Sequence, residues 1–168
     1  MVSLRLITKI FQKVNNIAGF IAGLCVCFSA LLIIAEIIIR STTSHSLYIT
    51  DEYTGYLMAV SSMLGLGYVE MCHGHIRMDL IDMLKNKCPG LLRFLKYVTY
   101  LAAIAVAVYL TVVSWKIFQS SYADQTRSMQ ISATLLYIPQ ACLPIGSLLL
   151  TIQYVINLWN FAVGESDK

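Results

Sequence analysis

The sequence predicts an all-α integral membrane protein with four transmembrane helices and with both termini in the cytoplasm. Of its 168 residues, 58% are hydrophobic and only 12% are charged, whereas a soluble domain carries about 25% charged residues. Four apolar stretches are separated by polar segments. Each stretch is long enough to cross a hydrocarbon core of about 30 Å. Lipid is therefore the expected solvent for much of the surface.

The basic residues set the expected orientation, because Lys and Arg are enriched in cytoplasmic segments. Nine of the 12 basic residues fall on one side of the predicted spans: Arg5, Lys9, Lys13, Arg77, Lys85, Lys87, Arg93, Lys96 and Lys168. The other side holds Arg40, Lys116 and Arg127. The first side is therefore predicted to be cytoplasmic. The basic residues form no single patch, so binding to nucleic acid is not expected.

Residues 1–16 are predicted to form an amphipathic helix on the membrane surface. Arg5, Lys9 and Lys13 recur every four residues opposite an apolar face, which suits an anionic headgroup layer. A basic leader that only sets topology is the alternative. No cleavable signal peptide is expected, because the uncharged run that follows is longer than a signal sequence requires.

The first membrane helix is predicted at 17–39 and the second at 51–71. Small residues along one face of the second helix indicate close packing against other helices: Gly55, Ala59, Ser62 and Gly65. Glu52 lies in its first turn, where a helix cap or an interhelix hydrogen bond is the favoured role. A proton or ion site is the alternative for this carboxylate.

Residues 75–87 are predicted to form an interfacial helix on the cytoplasmic side. His75 and Asp79 are four residues apart and would be neighbours on such a helix, while Asp82 lies on its polar face. These three side chains are the predicted anchoring groups. His73 and His75 point to different faces at this spacing, so no metal site is predicted.

The third membrane helix is predicted at 91–120 and the fourth at 135–160. The fourth contains Pro139 and Pro144, each of which removes a backbone hydrogen bond and favours a kink. Alternatively, Pro139 lies in the first helical turn, where a proline costs little.

The sequence contains no recognisable set of catalytic residues, no phosphate-binding loop and no zinc-binding helix, so we do not expect an enzyme or a bound cofactor. Ionisable residues are almost absent from the middle of the four predicted spans. That pattern argues against a chain that carries ions or solutes alone. It is typical of a subunit that positions or stabilises another protein.

The chain resembles the small, four-helix membrane subunit (DctQ type) of tripartite ATP-independent periplasmic transporters, the TRAP class, over nearly its whole length. The resemblance rests on Arg40 at the end of helix 1, Glu52 at the start of helix 2, the run from Gly65 into His75-Ile76-Arg77-Met78-Asp79-Leu80, and Pro139…Pro144-Ile145-Gly146. The Gly-His-Ile-x-x-Asp and double-proline patterns are its most specific parts.

This resemblance implies an importer of three parts in the inner membrane of a bacterium. A soluble periplasmic protein captures an organic acid, such as a dicarboxylate, a keto acid or sialic acid. A large multi-helix membrane subunit transports the acid with the energy of a sodium gradient. The small subunit would brace the large subunit among the phospholipids and offer a periplasmic surface to the binding protein.

The predicted outward contacts to partner proteins are Arg40, Glu52 and Arg127. Two other functions remain open from the residues alone. One is a membrane anchor for a redox enzyme, which a haem absorption band would reveal. The other is a small exporter that works as a homo-oligomer and would need Glu36 or Glu52 for flux.

Overall fold

The computed structural model describes residues 2–43, 48–72, 89–130 and 132–163. Within these ranges the chain is helical, apart from a loop between the third and fourth helices. The helices are α1 (Val2–Thr43), α2 (Tyr48–Met71), α3 (Pro89–Ala123), α4 (Tyr137–Gln140) and α5 (Cys142–Val163). The predicted interfacial segment 75–87 lies outside the described residues.

The first helix is continuous from Val2 to Thr43, a length of 42 residues. The sequence analysis assigned residues 1–16 to the membrane surface and 17–39 to the first span, but the structure contains no break between them. The buried side chain of Asn15 explains part of this difference, because it lies between helices and ties this part of α1 to the rest of the fold.

The long helices form a row in the order α1, α2, α5, α3. The second helix packs against α1 and α5, and α5 packs in turn against α3. A small apolar core lies where the first three of these helices meet, built from Ala18, Ala22, Leu64 and Leu149. Because a row is open, its helices keep large apolar surfaces uncovered within this chain, including Phe20 and Phe94.

The contact between α1 and α2 depends on small residues of α1. Ala18 and Ala22 are buried against α2. A Cβ atom added to Gly19 would lie 2.5 Å from Cγ of Tyr68, so the tyrosine ring occupies the space above this glycine. A Cβ atom at Gly23 would meet nothing within 4 Å. Among the described residues, Gly19 is therefore packed against a side chain of α2, whereas the space beside Gly23 is open.

The contact between α2 and α5 is closer than the contact between α1 and α2, because it brings backbone against backbone. A Cβ atom at Gly146 would lie 2.3 Å from the carbonyl oxygen of Met63, so the two backbones touch at this point. On the other side of α5, the hydroxyls of Thr111 and Thr151 lie 3.2 Å apart and link α3 to α5.

Three of the described helical segments are long and apolar enough to cross a membrane: Thr8–Thr42, Arg93–Ala123 and Tyr137–Ala162. The second helix is long enough, at 24 residues, but its Gly, Ser and Tyr residues and its two glutamates make it less apolar. Its place between α1 and α5 explains this composition, because neighbouring helices cover much of its surface.

The two prolines flank an interruption between α4 and α5. Pro144 lacks an N–H group and its ring crowds the carbonyl of Gln140, four residues earlier. The short helix α4 ends at Gln140, and α5 begins at Cys142. The residue between them, Ala141, keeps helical backbone angles (φ −58°, ψ −28°), so the chain continues through this point in a helical conformation.

A tight loop connects α3 to α4. Arg127 pairs with Leu135 in an isolated antiparallel bridge, and the N–H of Ser128 donates to the carbonyl of Thr134 over 2.9 Å. Gln125 and Ala133 adopt positive φ angles of 47° and 46°, which lets the backbone turn sharply at both. The outer part of this loop, including Met129, is exposed.

Candidate partner-binding site

A chain of buried polar side chains joins three helices near the C-terminal end of α2. The Asn15 amide donates to Oε1 of Gln153 over 2.8 Å. The Gln153 amide donates to Oδ1 of Asn157 over 3.0 Å, and the Asn157 amide donates to Oε1 of Glu70 over 2.7 Å. All three hydrogen bonds point toward the carboxylate, and this shared direction strengthens each of them.

The environment of this polar chain is almost closed. Asn15 is 0% exposed, Glu70 2% and Gln153 4%. A Cβ atom at Gly67 would lie 2.9 Å from Oδ1 of Asn15, so the glycine leaves the space that the amide fills. Hydrogen bonds of this kind hold membrane helices together without a hydrophobic driving force. The polar chain therefore fixes how α1, α2 and α5 sit against one another.

A second polar cluster surrounds Glu52, near the N-terminal end of α2. The hydroxyl of Tyr56 donates to one carboxylate oxygen over 2.6 Å, and the hydroxyl of Ser132 donates to the other. The hydroxyls of Ser132 and Thr134 also lie 2.8 Å apart. Because Ser132 belongs to the loop after α3, Glu52 fastens that loop to α2.

Glu52 is also one of the three predicted outward partner contacts, and that role stays a prediction. The residue is only 5% exposed, and its carboxylate oxygens are occupied by hydroxyls of its own chain. The other two predicted contact residues, Arg40 and Arg127, are exposed. Arg40 ends α1, whereas Arg127 lies in the loop that Glu52 holds.

The small residues of α2 divide into two groups. Gly67 faces Asn15 and Leu149, and Gly65 lies near Ala22 of α1. Gly55, Ala59 and Ser62 are exposed instead, and a Cβ atom at Gly55 would meet nothing within 4 Å. We call these last three residues the open face of α2. The prediction that they pack against a helix has no counterpart within the described part of this chain.

The remaining predicted site residues have different outcomes. His75, Asp79 and Asp82 lie outside the described residues, so their anchoring role stays a prediction. Among the residues that the structure does describe, no group of three or more His, Cys, Asp or Glu side chains is placed to hold a metal ion.

Sequence reasoning missed the polar chain from Asn15 to Glu70. A signal for it exists in α5, where Gln153 and Asn157 are four residues apart in an otherwise apolar run. Two amides on one face of a membrane helix indicate a polar contact with another helix. Their partners, however, are 138 and 87 positions away along the chain.

One known protein family matches this chain. The family described as "Tripartite ATP-independent periplasmic transporters, DctQ component" matches residues 29–164. No curated protein and no solved structure gives a significant match. The matched region holds most of the chain, including both clusters apart from Asn15. The chain therefore belongs to the DctQ family, the small-subunit component of TRAP transporters, which is a family of transport components and not a family of enzymes.

Proposed function

We propose that the chain is the non-catalytic small permease subunit of a sodium-driven, binding-protein-dependent importer of organic acids, such as sialic acid or a C4-dicarboxylate. It would work in the inner membrane of a bacterium, with four helices crossing the bilayer and both termini in the cytoplasm. In this role it braces the large transport subunit and helps to dock the periplasmic substrate-binding protein.

The open face of α2 is the observation that carries the bracing role. Gly55, Ala59 and Ser62 lie uncovered on the helix that occupies the middle of the fold. Flexible lipid chains can pack against large side chains as well as small ones. A second helix, in contrast, can approach closely only where side chains are small. A helix of the large subunit is therefore the proposed neighbour of this face.

The fixed loop after α3 supports the docking role. Arg127 and Met129 are exposed on it, while Glu52 holds its base through Ser132. A contact surface that is already ordered loses less conformational entropy on binding than a flexible one. Arg40 lies at the same end of the fold, beside the first residues of α2. Both arginines would face the periplasm in the proposed orientation.

The buried carboxylates favour a structural rather than a transport role for this chain. Glu52 is bound by hydroxyls of Tyr56 and Ser132, and Glu70 is bound by the amide of Asn157. Each therefore serves as a fixed acceptor for groups of the same chain. Movement of sodium and of the organic acid is assigned to the large subunit.

The docking role is tested by charge reversal in the reconstituted transporter. The three components are placed in liposomes, with the sodium gradient set and radiolabelled sialic acid or succinate as the probe. Arg40→Glu and Arg127→Glu are each expected to raise the concentration of binding protein needed for half-maximal uptake. Lys116→Glu, an exposed charge on α3, is the matched control.

Co-purification with the large subunit shows whether each variant still assembles. A shift in the half-maximal concentration with normal assembly supports docking through these arginines. Unchanged uptake in both variants would remove the docking role. Equal uptake with and without the sodium gradient would contradict the proposed energy source.

A further inference from the structure

A cleft lies between the end of α1 and the start of α2, at the same end of the fold as Glu52. Its volume is about 370 Å³. Arg40 and Glu36 line it from α1, and Asp51 lines it from α2. Ile33 and Ile37 also line it from α1, and Thr50 and Thr54 line it from α2.

The cleft spans the boundary between apolar and charged surface. Ile33 and Ile37 are 41% and 61% exposed, on a helix that is apolar enough to cross a membrane. Arg40 lies two turns beyond Ile33, or about 10 Å along the helix axis. A ligand that fills the cleft would therefore meet hydrocarbon side chains at one end and charges of both signs at the other.

We propose that this cleft binds the headgroup of a phospholipid with a primary amine, phosphatidylethanolamine. The Arg40 guanidinium would hold the phosphate, because its planar donors match phosphate oxygens. The Asp51 carboxylate would accept hydrogen bonds from the ammonium group. Ile33 and Ile37 would contact the first part of an acyl chain.

The charges of the cleft distinguish this headgroup from others. Arg40 and Asp51 place one positive and one negative charge in the cleft, so a zwitterionic headgroup matches both, whereas an anionic headgroup such as phosphatidylglycerol has no ammonium group for Asp51. Phosphatidylcholine has the same net charge as phosphatidylethanolamine, but its quaternary ammonium has no N–H to donate.

Native mass spectrometry of the purified full-length chain tests the proposal. Phosphatidylethanolamine, phosphatidylcholine and phosphatidylglycerol with identical acyl chains are added at equal concentrations. The lost hydrogen bond to a charged group should make the ethanolamine lipid bind at least about tenfold more tightly than the choline lipid, a difference of about 1.4 kcal/mol or more. Equal binding of the two, or a preference for the glycerol lipid, would overturn the proposal.

Variants of the cleft give the second arm. Arg40→Gln and Asp51→Asn should each remove the preference for the ethanolamine lipid. Lys116→Gln and Asp124→Asn remove exposed charges outside the cleft and should retain the preference for the ethanolamine lipid. Cleft variants that bind the three lipids as the unaltered chain does would contradict the assignment.

A third arm needs no variant. A photoactivatable phosphatidylethanolamine with its reactive group on the first carbons of an acyl chain should label the unaltered chain around Ile33 and Ile37. Labelling confined to other helices would place the lipid elsewhere. Soluble phosphoethanolamine should compete poorly, because it lacks the acyl chain; if it competes as well as the lipid, the ligand is a soluble zwitterion and the lipid assignment is wrong.

Discussion

Two faces of α2 contain the same small residue types but have different surroundings. On the face toward α5, Gly67 leaves room for Asn15 and lies against Leu149, and the α2 backbone at Met63 touches Gly146. On the open face, Gly55 has no neighbour within 4 Å of an added Cβ atom. Small residues therefore indicate where another helix can approach α2 closely, but they do not predict whether that helix belongs to the same chain or to a partner.

The same contrast holds for the two buried glutamates of this helix. Glu70 completes a polar chain that joins three helices, whereas Glu52 joins its helix to a loop. They are 18 residues apart, or about 27 Å along the axis. The C-terminal end of α2 therefore holds helices together, whereas its N-terminal end holds the exposed loop after α3 in place.

The largest expected effect is on the closed face, from Gly146→Ala. The added methyl would lie 2.3 Å from a backbone oxygen of α2, and a backbone cannot move aside as a side chain can. We expect the free energy of unfolding to fall by about 1–3 kcal/mol, measured by thermal melting in detergent. The control is Gly23→Ala, which meets no atom within 4 Å. Equal melting temperatures for the two variants would contradict the described seam.

A smaller loss is expected when the polar chain is cut at Asn157. Replacement by Leu leaves Glu70 without the amide donor at 2.7 Å and Gln153 without its acceptor. Hydrogen bonds between membrane helices contribute about 0.6–2 kcal/mol each, so stability should fall by that order. Asn160→Leu is the matched control, because it makes the same substitution three residues later on the same helix, outside the polar chain. If Asn160→Leu is as damaging as Asn157→Leu, the polar chain is not what stabilises this junction.

At Glu52 the expected effect is local. Glu52→Leu removes the acceptor for Tyr56 and Ser132, so the loop after α3 should open more often while the helices keep their stability. Loss of about 1 kcal/mol of local stability corresponds to about a fivefold rise in opening. Trypsin cleavage after Arg127 measures this rise. Asp124→Leu, an exposed carboxylate before the loop, should leave the cleavage rate unchanged; a similar rise there would mean that any lost carboxylate loosens the loop.

The smallest effect on the chain itself is expected on the open face. Gly55→Leu should change the free energy of unfolding by less than about 0.5 kcal/mol, because the site is exposed and uncrowded. The same change should weaken binding of the large subunit, since a bulky side chain would keep a partner helix at a distance. Gly55→Ala keeps the residue small and should retain the partner. A clear loss of stability in the isolated chain would show that another part of the same chain packs against this face.

The positions of the helices could be predicted from the sequence because long apolar runs in an apolar solvent have few alternatives to a helix. The predicted spans 17–39, 51–71 and 91–120 each lie inside one helix of the structure. The prolines of the last span also indicated where its helix is interrupted, since the missing N–H group acts locally.

The site was harder to predict, because its meaning depends on contacts between distant residues. Asn15 was read as part of a surface helix, and only its hydrogen bond to Gln153 places it in the interior. Glu52 was read as an outward contact, yet its partner in the loop is 80 positions away. Gly55 and Gly67 look alike in the sequence, and only the packing of α1 and α5 separates the open face of α2 from the closed one.

The central claim is that this chain is one part of an assembly, and purification from its own host tests it most directly. The tagged full-length chain is extracted in mild detergent, and the proteins that accompany it are identified by mass spectrometry. We expect a large multi-helix membrane subunit in a one-to-one ratio with this chain. Recovery of the chain alone, or only with copies of itself, would contradict the account.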